Sequence, residues 1–228
     1  SSAASDVYKR QVGPCVWNRP SQDPAPTWLD ELPTDRPWVH VTEGTVHSQE
    51  PFVLRAAMRG LAHEKMEVIL TTGPQRDMAA LRLDPAAPNI SVKEWVSHSD
   101  LLPRCAAMVT TGGAGTVMTA LQLGVPLVVV PTRWDKPDNA QRVVEAGAGV
   151  RLAPRDCTPE RLRRAVRRVL DEPEFGANAQ RLAQRLADVA GPRGAASLLE
   201  ALAGTSYPVA SHVTGSSLEG PRAGLSGR

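Results

Sequence analysis

The chain has 228 residues, 42% hydrophobic and 22% charged, with a formal net charge of +2. That apolar content fills one core of ordinary domain size, and the near balance of charge excludes a nucleic-acid binder held by a clustered basic face. Cys15, Cys105 and Cys157 lie far apart with no CxxC or Cys/His ligand spacing, so neither a disulfide framework nor a zinc site is expected, and a reducing cytoplasm is the expected location.

Residues 1–11 lack periodicity and read as a non-native scar. Residues 12–37 are rich in Pro and Trp without alternation and read as an extended linker. A regular pattern starts at Trp38, and a single domain is expected over residues 38–203. Strands are predicted at residues 38–42, 67–72, 90–92, 106–110, 127–130 and 150–152. Between them, residues 51–62 have helical spacing, with Leu54, Met58 and Leu61 on one face. Further helices are predicted at 114–123, stopped by Gly124, and at 137–146, with Pro137 at the start and Gly147 after the end. Thr158 is a good N-cap for a helix reaching residue 170, whose arginine-rich run 161–168 reads as a solvated face. Two more helices follow at 174–189 and 195–203. The Ser/Gly/Pro-rich tail, residues 204–228, is expected to be disordered.

No apolar run approaches the roughly 20 residues needed to cross a bilayer, and no signal-peptide pattern is visible. No membrane span and no nucleic-acid partner are expected. Alternating strands and helices imply an α/β fold: a Rossmann-like parallel sheet with helices on both faces. Ligands in such folds bind beyond the carboxyl ends of the strands. The turns that matter are therefore residues 44–45, 97–102, 111–116 and 132–139.

Three of these segments carry chemistry. Residues 110–116 read Thr-Thr-Gly-Gly-Ala-Gly-Thr and join a strand to a helix. Glycines there let the backbone turn and a ligand approach, and the free N–H groups of the helix start favour a phosphate. No Gly-Lys-Ser/Thr follows, so this is not a P-loop, and GxGxxG is absent too. A tight turn without a ligand reads equally well from this motif alone. In Trp134-Asp135-Lys136-Pro137-Asp138-Asn139-Ala140, a carboxylate can accept hydrogen bonds from sugar hydroxyls or cap a helix. Trp95 in Trp95-Val96-Ser97-His98 offers a flat face for a base or fills a half-buried core position. His98 is a base or ligand candidate, or a hydrogen-bonded structural residue.

Taken in order and spacing, these segments resemble the C-terminal, nucleotide-sugar-binding domain of family 1 glycosyltransferases of the GT-B fold. The likeness is nearest to bacterial enzymes that glycosylate macrolides and other natural products. It rests on residues 95–98, 111–116, 124–131 and 135–140, with Val41-Thr42-Glu43-Gly44-Thr45 as a first-strand phosphate turn. The resemblance implies that Trp95 stacks on a pyrimidine base, while Val96 and His98 meet its edge, largely through backbone groups. It implies that Thr45, Thr111, Gly112, Gly113, Ala114, Gly115 and Thr116 hold the diphosphate, and that Asp135 binds sugar hydroxyls with Lys136 beside it. No metal or cofactor is implied, since N–H groups and hydroxyls meet the leaving diphosphate.

Three departures stand out. The family usually has His at Thr111 and Gln at Lys136. Plant relatives place a ribose-binding Glu at the position of Thr119, so UDP- and dTDP-sugars both remain open. Lysine cannot accept a hydrogen bond, which leaves a different sugar contact or a lean toward phosphate. The implied reaction is an inverting transfer to a hydroxyl of a small-molecule acceptor. Its general base and acceptor site belong to an N-terminal domain that this chain is expected to lack, so no catalytic residue is assigned and the chain alone is expected to be inactive. Two alternatives are a natural donor-binding subunit needing a partner chain, and a non-catalytic nucleotide-binding module.

Overall fold

Six short apolar segments pair into one parallel sheet of order β3-β2-β1-β4-β5-β6. In this computed structural model the described residues are 11–16, 25–44, 50–73 and 87–204. The strands are β1 (Trp38–Thr42), β2 (Glu67–Thr71), β3 (Ile90–Lys93), β4 (Cys105–Thr110), β5 (Leu127–Val129) and β6 (Gly149–Arg151). The helices are α1 (Trp28–Glu31), α2 (Phe52–Gly60), α3 (His98–Leu101), α4 (Ala114–Gln122), α5 (Lys136–Glu145), α6 (Pro159–Asp171), α7 (Pro173–Ala187) and α8 (Gly191–Gly204). The predicted Rossmann-like architecture is thus the observed one.

Every residue of β1, β2 and β5 is buried, as expected for strands covered on both faces. Alternation still sorts the side chains. Val39, Val41, Val68, Leu70, Val109 and Val128 pack with Leu54 of α2 and with Leu162 and Val166 of α6. Met108, Leu127 and Val129 face the other way, against Val117 and Ala120 of α4, Val143 of α5 and Ala179 of α7. Helix α6 shows why its sequence folds as it does. The Thr158 hydroxyl accepts a 3.3 Å hydrogen bond from the Arg161 N–H, and Pro159 sits at the first turn. Leu162, Val166 and Val169 then recur on the buried face. The arginines between them are exposed, as predicted, and Arg163 and Arg167 reach Glu64.

Two short helices were not legible in the sequence. Helix α1 lies inside the segment expected to be a linker. Its Leu29 is fully buried with Trp38, Ile69, Val96 and Leu101, so that part of residues 12–37 belongs to the domain core. Two adjacent apolar residues, Trp28 and Leu29, on one helical turn give no period to read. Helix α3 replaces the turn expected at 97–102 and continues into a 3-10 turn at Leu102–Arg104. The Val12 carbonyl accepts a 2.6 Å bond from the N–H of Gly191, at the start of α8. Residues 1–10, Thr45 and residues 205–228 lie outside the described residues.

Candidate functional site

The strand order places a topological switch point between β1 and β4. From β1 the chain winds outward to β2 and β3, then crosses back to β4 on the other side of β1. Loops leaving β1 and β4 therefore diverge to opposite faces and open a crevice at their carboxyl ends. Thr42-Glu43-Gly44 leaves β1 there, and Thr111-Gly112-Gly113 leaves β4. The Thr111 hydroxyl bridges the two by donating to the Glu43 carbonyl over 3.1 Å.

The glycine turn is built for close approach. Gly112 has φ +90°, and a Cβ there would lie 2.8 Å from Val129 Cγ1, so both the backbone and the packing require glycine. Its N–H donates to the Thr110 hydroxyl over 3.3 Å. Gly113 caps α4 without a side chain, and the first intrahelical bond runs from Val117 N–H to Gly113 C=O. The N–H groups of Ala114, Gly115 and Thr116 are left without an intrahelical acceptor. A Cβ on Gly113 or Gly115 would meet nothing within 4 Å, so open space lies beside this helix start.

The loop after β5 supplies the second wall. Asp135 is exposed and occupies the N-cap position of α5, yet its side chain makes no cap hydrogen bond. The capping explanation for this carboxylate therefore fails. Its Oδ2 accepts instead from Asn139 Nδ2 at 2.9 Å, and the same amide nitrogen donates to the Gly112 carbonyl at 3.0 Å. Asn139 thus ties the carboxylate to the glycine turn. Trp134, just before it, has φ +59° and is 73% exposed, an uncommon backbone state for so large a side chain.

Lys136 turns inward and is only 7% exposed. Its Nζ donates to the hydroxyls of Thr111 and Thr132, both at 3.1 Å. Burial holds its pKa below the usual lysine range, opposed by the Asp135 and Glu43 carboxylates. Glu43 is itself buried, and its Oε1 accepts from the Val53 N–H at the start of α2 over 2.9 Å.

The loop after β3 leaves the same end of the sheet. Trp95 is 60% exposed, so the core reading of its indole fails. Val96 is the opposite case: its side chain is buried in the cluster with Leu29 and Leu101. His98 packs its ring against His40 of β1, with centroids 5.3 Å apart. Val96 therefore has no exposed side chain to offer a ligand, whereas His98 is only half-buried. Because the strands are parallel, the Trp95 loop after β3 and the glycine turn after β4 leave the sheet at the same, carboxyl end.

Sequence reasoning assigned no individual role to Glu43, Thr132 or Asn139. Asn139 stood in a motif already singled out, but its amide bonds join loops that only the fold brings together. Two surface depressions share Pro37, His63, Glu64 and Lys65. They lie at the amino ends of the strands and contain none of these site residues. Burial pushes the thiols of Cys105 and Cys157 up to about 12, with the Glu43 carboxylate adding to the effect at Cys157, which makes both poor nucleophiles near neutral pH. No helix among the described residues is long and apolar enough to cross a membrane.

This strand order and crevice define a Rossmann-like domain of the kind found in GT-B glycosyltransferases. Residues 55–202 match the family described as "Erythromycin biosynthesis protein CIII-like, C-terminal domain", and the chain belongs to that family. It is 46% identical over 173 residues to 4'-demethylrebeccamycin synthase of Lentzea aerocolonigenes, covering 76% of this chain and 40% of that protein. The solved calicheamicin glycosyltransferase CalG4 superposes with a TM-score of 0.72 at 28% identity, over 88% of this chain and 50% of the other. Glycosyltransferase VinC, solved in complex with dTDP, superposes with a TM-score of 0.68 at 30% identity, over 81% of this chain and 46% of the other. The chain thus spans half or less of the length of these relatives.

Proposed function

We propose that this chain is the donor-binding half of an inverting glycosyltransferase, which moves a sugar from a UDP- or dTDP-sugar to a hydroxyl of a small-molecule acceptor. The observation that carries this reading is the crevice between β1 and β4. There one hydroxyl, Thr111 Oγ1, ties the two strand exits together beside the open helix start of α4.

On this reading the exposed indole of Trp95 stacks on the pyrimidine. The N–H groups of Gly113, Ala114, Gly115 and Thr116 meet the diphosphate, with Gly112 shaping the turn and Thr45 contributing from the β1 exit. Asp135, steadied by Asn139, accepts hydrogen bonds from sugar hydroxyls, and Lys136 lies beside it. In the transfer, an acceptor oxygen attacks the anomeric carbon as the bond to the diphosphate breaks. Configuration inverts, and the acceptor proton passes to a base on an acceptor-binding domain outside this chain. Within this chain, N–H donors aimed at the leaving diphosphate lower the barrier, because they stabilise charge as it develops. The reading gives no role to a metal ion, and it places the reaction in a reducing cytoplasm, consistent with three free thiols. The dTDP complex of VinC supports a pyrimidine diphosphate as the ligand class.

Calorimetric titration of the chain with UDP, dTDP and ADP tests the proposal. Heat with at least one pyrimidine diphosphate, and none with ADP, is the expected result. A preference for ADP, or no heat with any of the three, overturns it. The chain alone is expected to transfer no sugar to an acceptor.

A further inference from the structure

The strand exits that serve the donor follow one another along the sheet. With the order β3-β2-β1-β4-β5-β6, Trp95 leaves β3, the crevice lies between β1 and β4, and Trp134-Asp135 leaves β5. A diphosphate in the crevice joins base to sugar, so a base toward β3 puts the sugar toward β5. The β5 exit is also tied to the glycine turn. The Asn139 amide donates to both the Gly112 carbonyl and Asp135 Oδ2.

Trp134 stands on this exit against two costs. It is the first central residue of a turn over residues 133–136, closed by a 3.3 Å bond from the Lys136 N–H to the Arg133 carbonyl. Its φ is +59°, and Asp135 follows with φ −74° and ψ −9°. Turns of that pattern ordinarily take Gly, Asn or Asp first, because a positive φ strains a bulky side chain. The second cost is exposure: the residue is 73% exposed, whereas tryptophans are ordinarily well buried. Strained backbone of this kind clusters at ligand-binding sites.

We propose that Trp134 is a specificity-determining residue of the donor site: its indole is a platform for the C–H face of the donor's pyranose ring, beside the Asp135 carboxylate that takes the hydroxyls. This rests on the donor-binding reading above. A pyranose carries hydroxyls around its rim and C–H groups on its faces, so its recognition calls for an acceptor and a flat apolar surface together. An indole supplies a large rigid surface with only two side-chain torsions to fix.

The test compares donors with and without the sugar. The chain and its Trp134→Gly, Trp134→Ala and Trp134→Phe variants are titrated calorimetrically with UDP, UDP-glucose, dTDP and dTDP-glucose, and thermal unfolding is recorded for each. Trp134→Gly and Trp134→Ala are expected to weaken the two sugar nucleotides by about 3- to 10-fold and the free diphosphates by less than about 2-fold. Trp134→Phe keeps a flat ring and should keep most of the sugar contribution. Trp134→Gly also relieves the positive φ, so its Tm should equal or exceed the parent's. If the folded variants weaken all four ligands alike, or none, the proposal fails while the donor-binding reading stands. A clear fall in the Tm of Trp134→Gly would assign Trp134 to the fold and overturn the proposal as well. No pyrimidine nucleotide binding by the unaltered chain would remove the donor-binding reading itself, and this proposal with it.

Discussion

The imidazole rings of His40 and His98 meet edge to face, with centroids 5.3 Å apart and planes 67° apart. His40 is fully buried on β1; its Nε2 lies 3.0 Å from the Thr71 hydroxyl, and its Nδ1 has no partner among the described residues. A proton on Nδ1 would create a buried, unpaired N–H beside a second imidazole. Burial accordingly pushes His40 well below the ordinary histidine range, with His98 adding to it, and burial also lowers His98.

The sign of the pH effect follows from these directions. Below about pH 6.5 the unfolded chain takes up protons that the folded chain refuses. Stability is therefore full above that pH and falls on acidification, by roughly 1 kcal/mol per pH unit for each imidazole, until the folded pKa is reached. Urea midpoints measured from pH 7.5 to pH 5 should hold to about pH 6.5 and drop below it, and His40→Leu should flatten the drop. A midpoint that does not move in the unaltered chain would show that the pair titrates normally.

Gly112 and Gly113 are neighbours with opposite demands. Gly112→Ala meets both a φ of +90° and a contact of 2.8 Å with Val129. A loss of about 2 kcal/mol or more is expected, because the left-handed backbone alone costs roughly 1–2 kcal/mol. Gly113→Ala has φ −60° and no atom within 4 Å of its new methyl. Its stability should stay within about 0.5 kcal/mol of the parent, while the methyl fills space assigned to the diphosphate. Denaturant unfolding paired with nucleotide titration separates the two. Parent-like binding by folded Gly113→Ala would argue that the open space there is not a ligand space.

Trp95→Ala should leave the fold intact, because the indole is 60% exposed. Base stacking is worth about 1–3 kcal/mol, so pyrimidine nucleotide affinity should fall by roughly 5- to 150-fold. Unchanged affinity would mean that this indole touches no base.

Leu29 tests whether the entry segment belongs to the domain. It is fully buried against Trp38, Ile69, Val96 and Leu101, and buried Leu→Ala changes cost about 2–5 kcal/mol. Chemical denaturation of Leu29→Ala should show a loss in that range. Because Val96 shares the cluster, the Trp95 loop should loosen as well and weaken nucleotide binding. A change below about 0.5 kcal/mol would return residues 28–31 to the status of a linker.

By itself the sequence determined the α/β order, the six strand positions and the loops to watch. Apolar period, Gly and Pro stops and the Thr158 cap are local signals, and local signals survive in one dimension. It also singled out Trp95, the glycine turn and Asp135, which lie in segments directly after predicted strands. Tertiary structure alone decided which chemistry each side chain keeps. It buried Val96 in the cluster with Leu29 and Leu101 and left its neighbour Trp95 exposed. It joined Thr111, Lys136 and Glu43, which no spacing rule connects, because they leave three strands that become neighbours only after the sheet forms. It stapled Leu29 and His40 into the core for the same reason. A contact between residues far apart in the chain has no period, and burial is a property of the folded neighbourhood rather than of the residue.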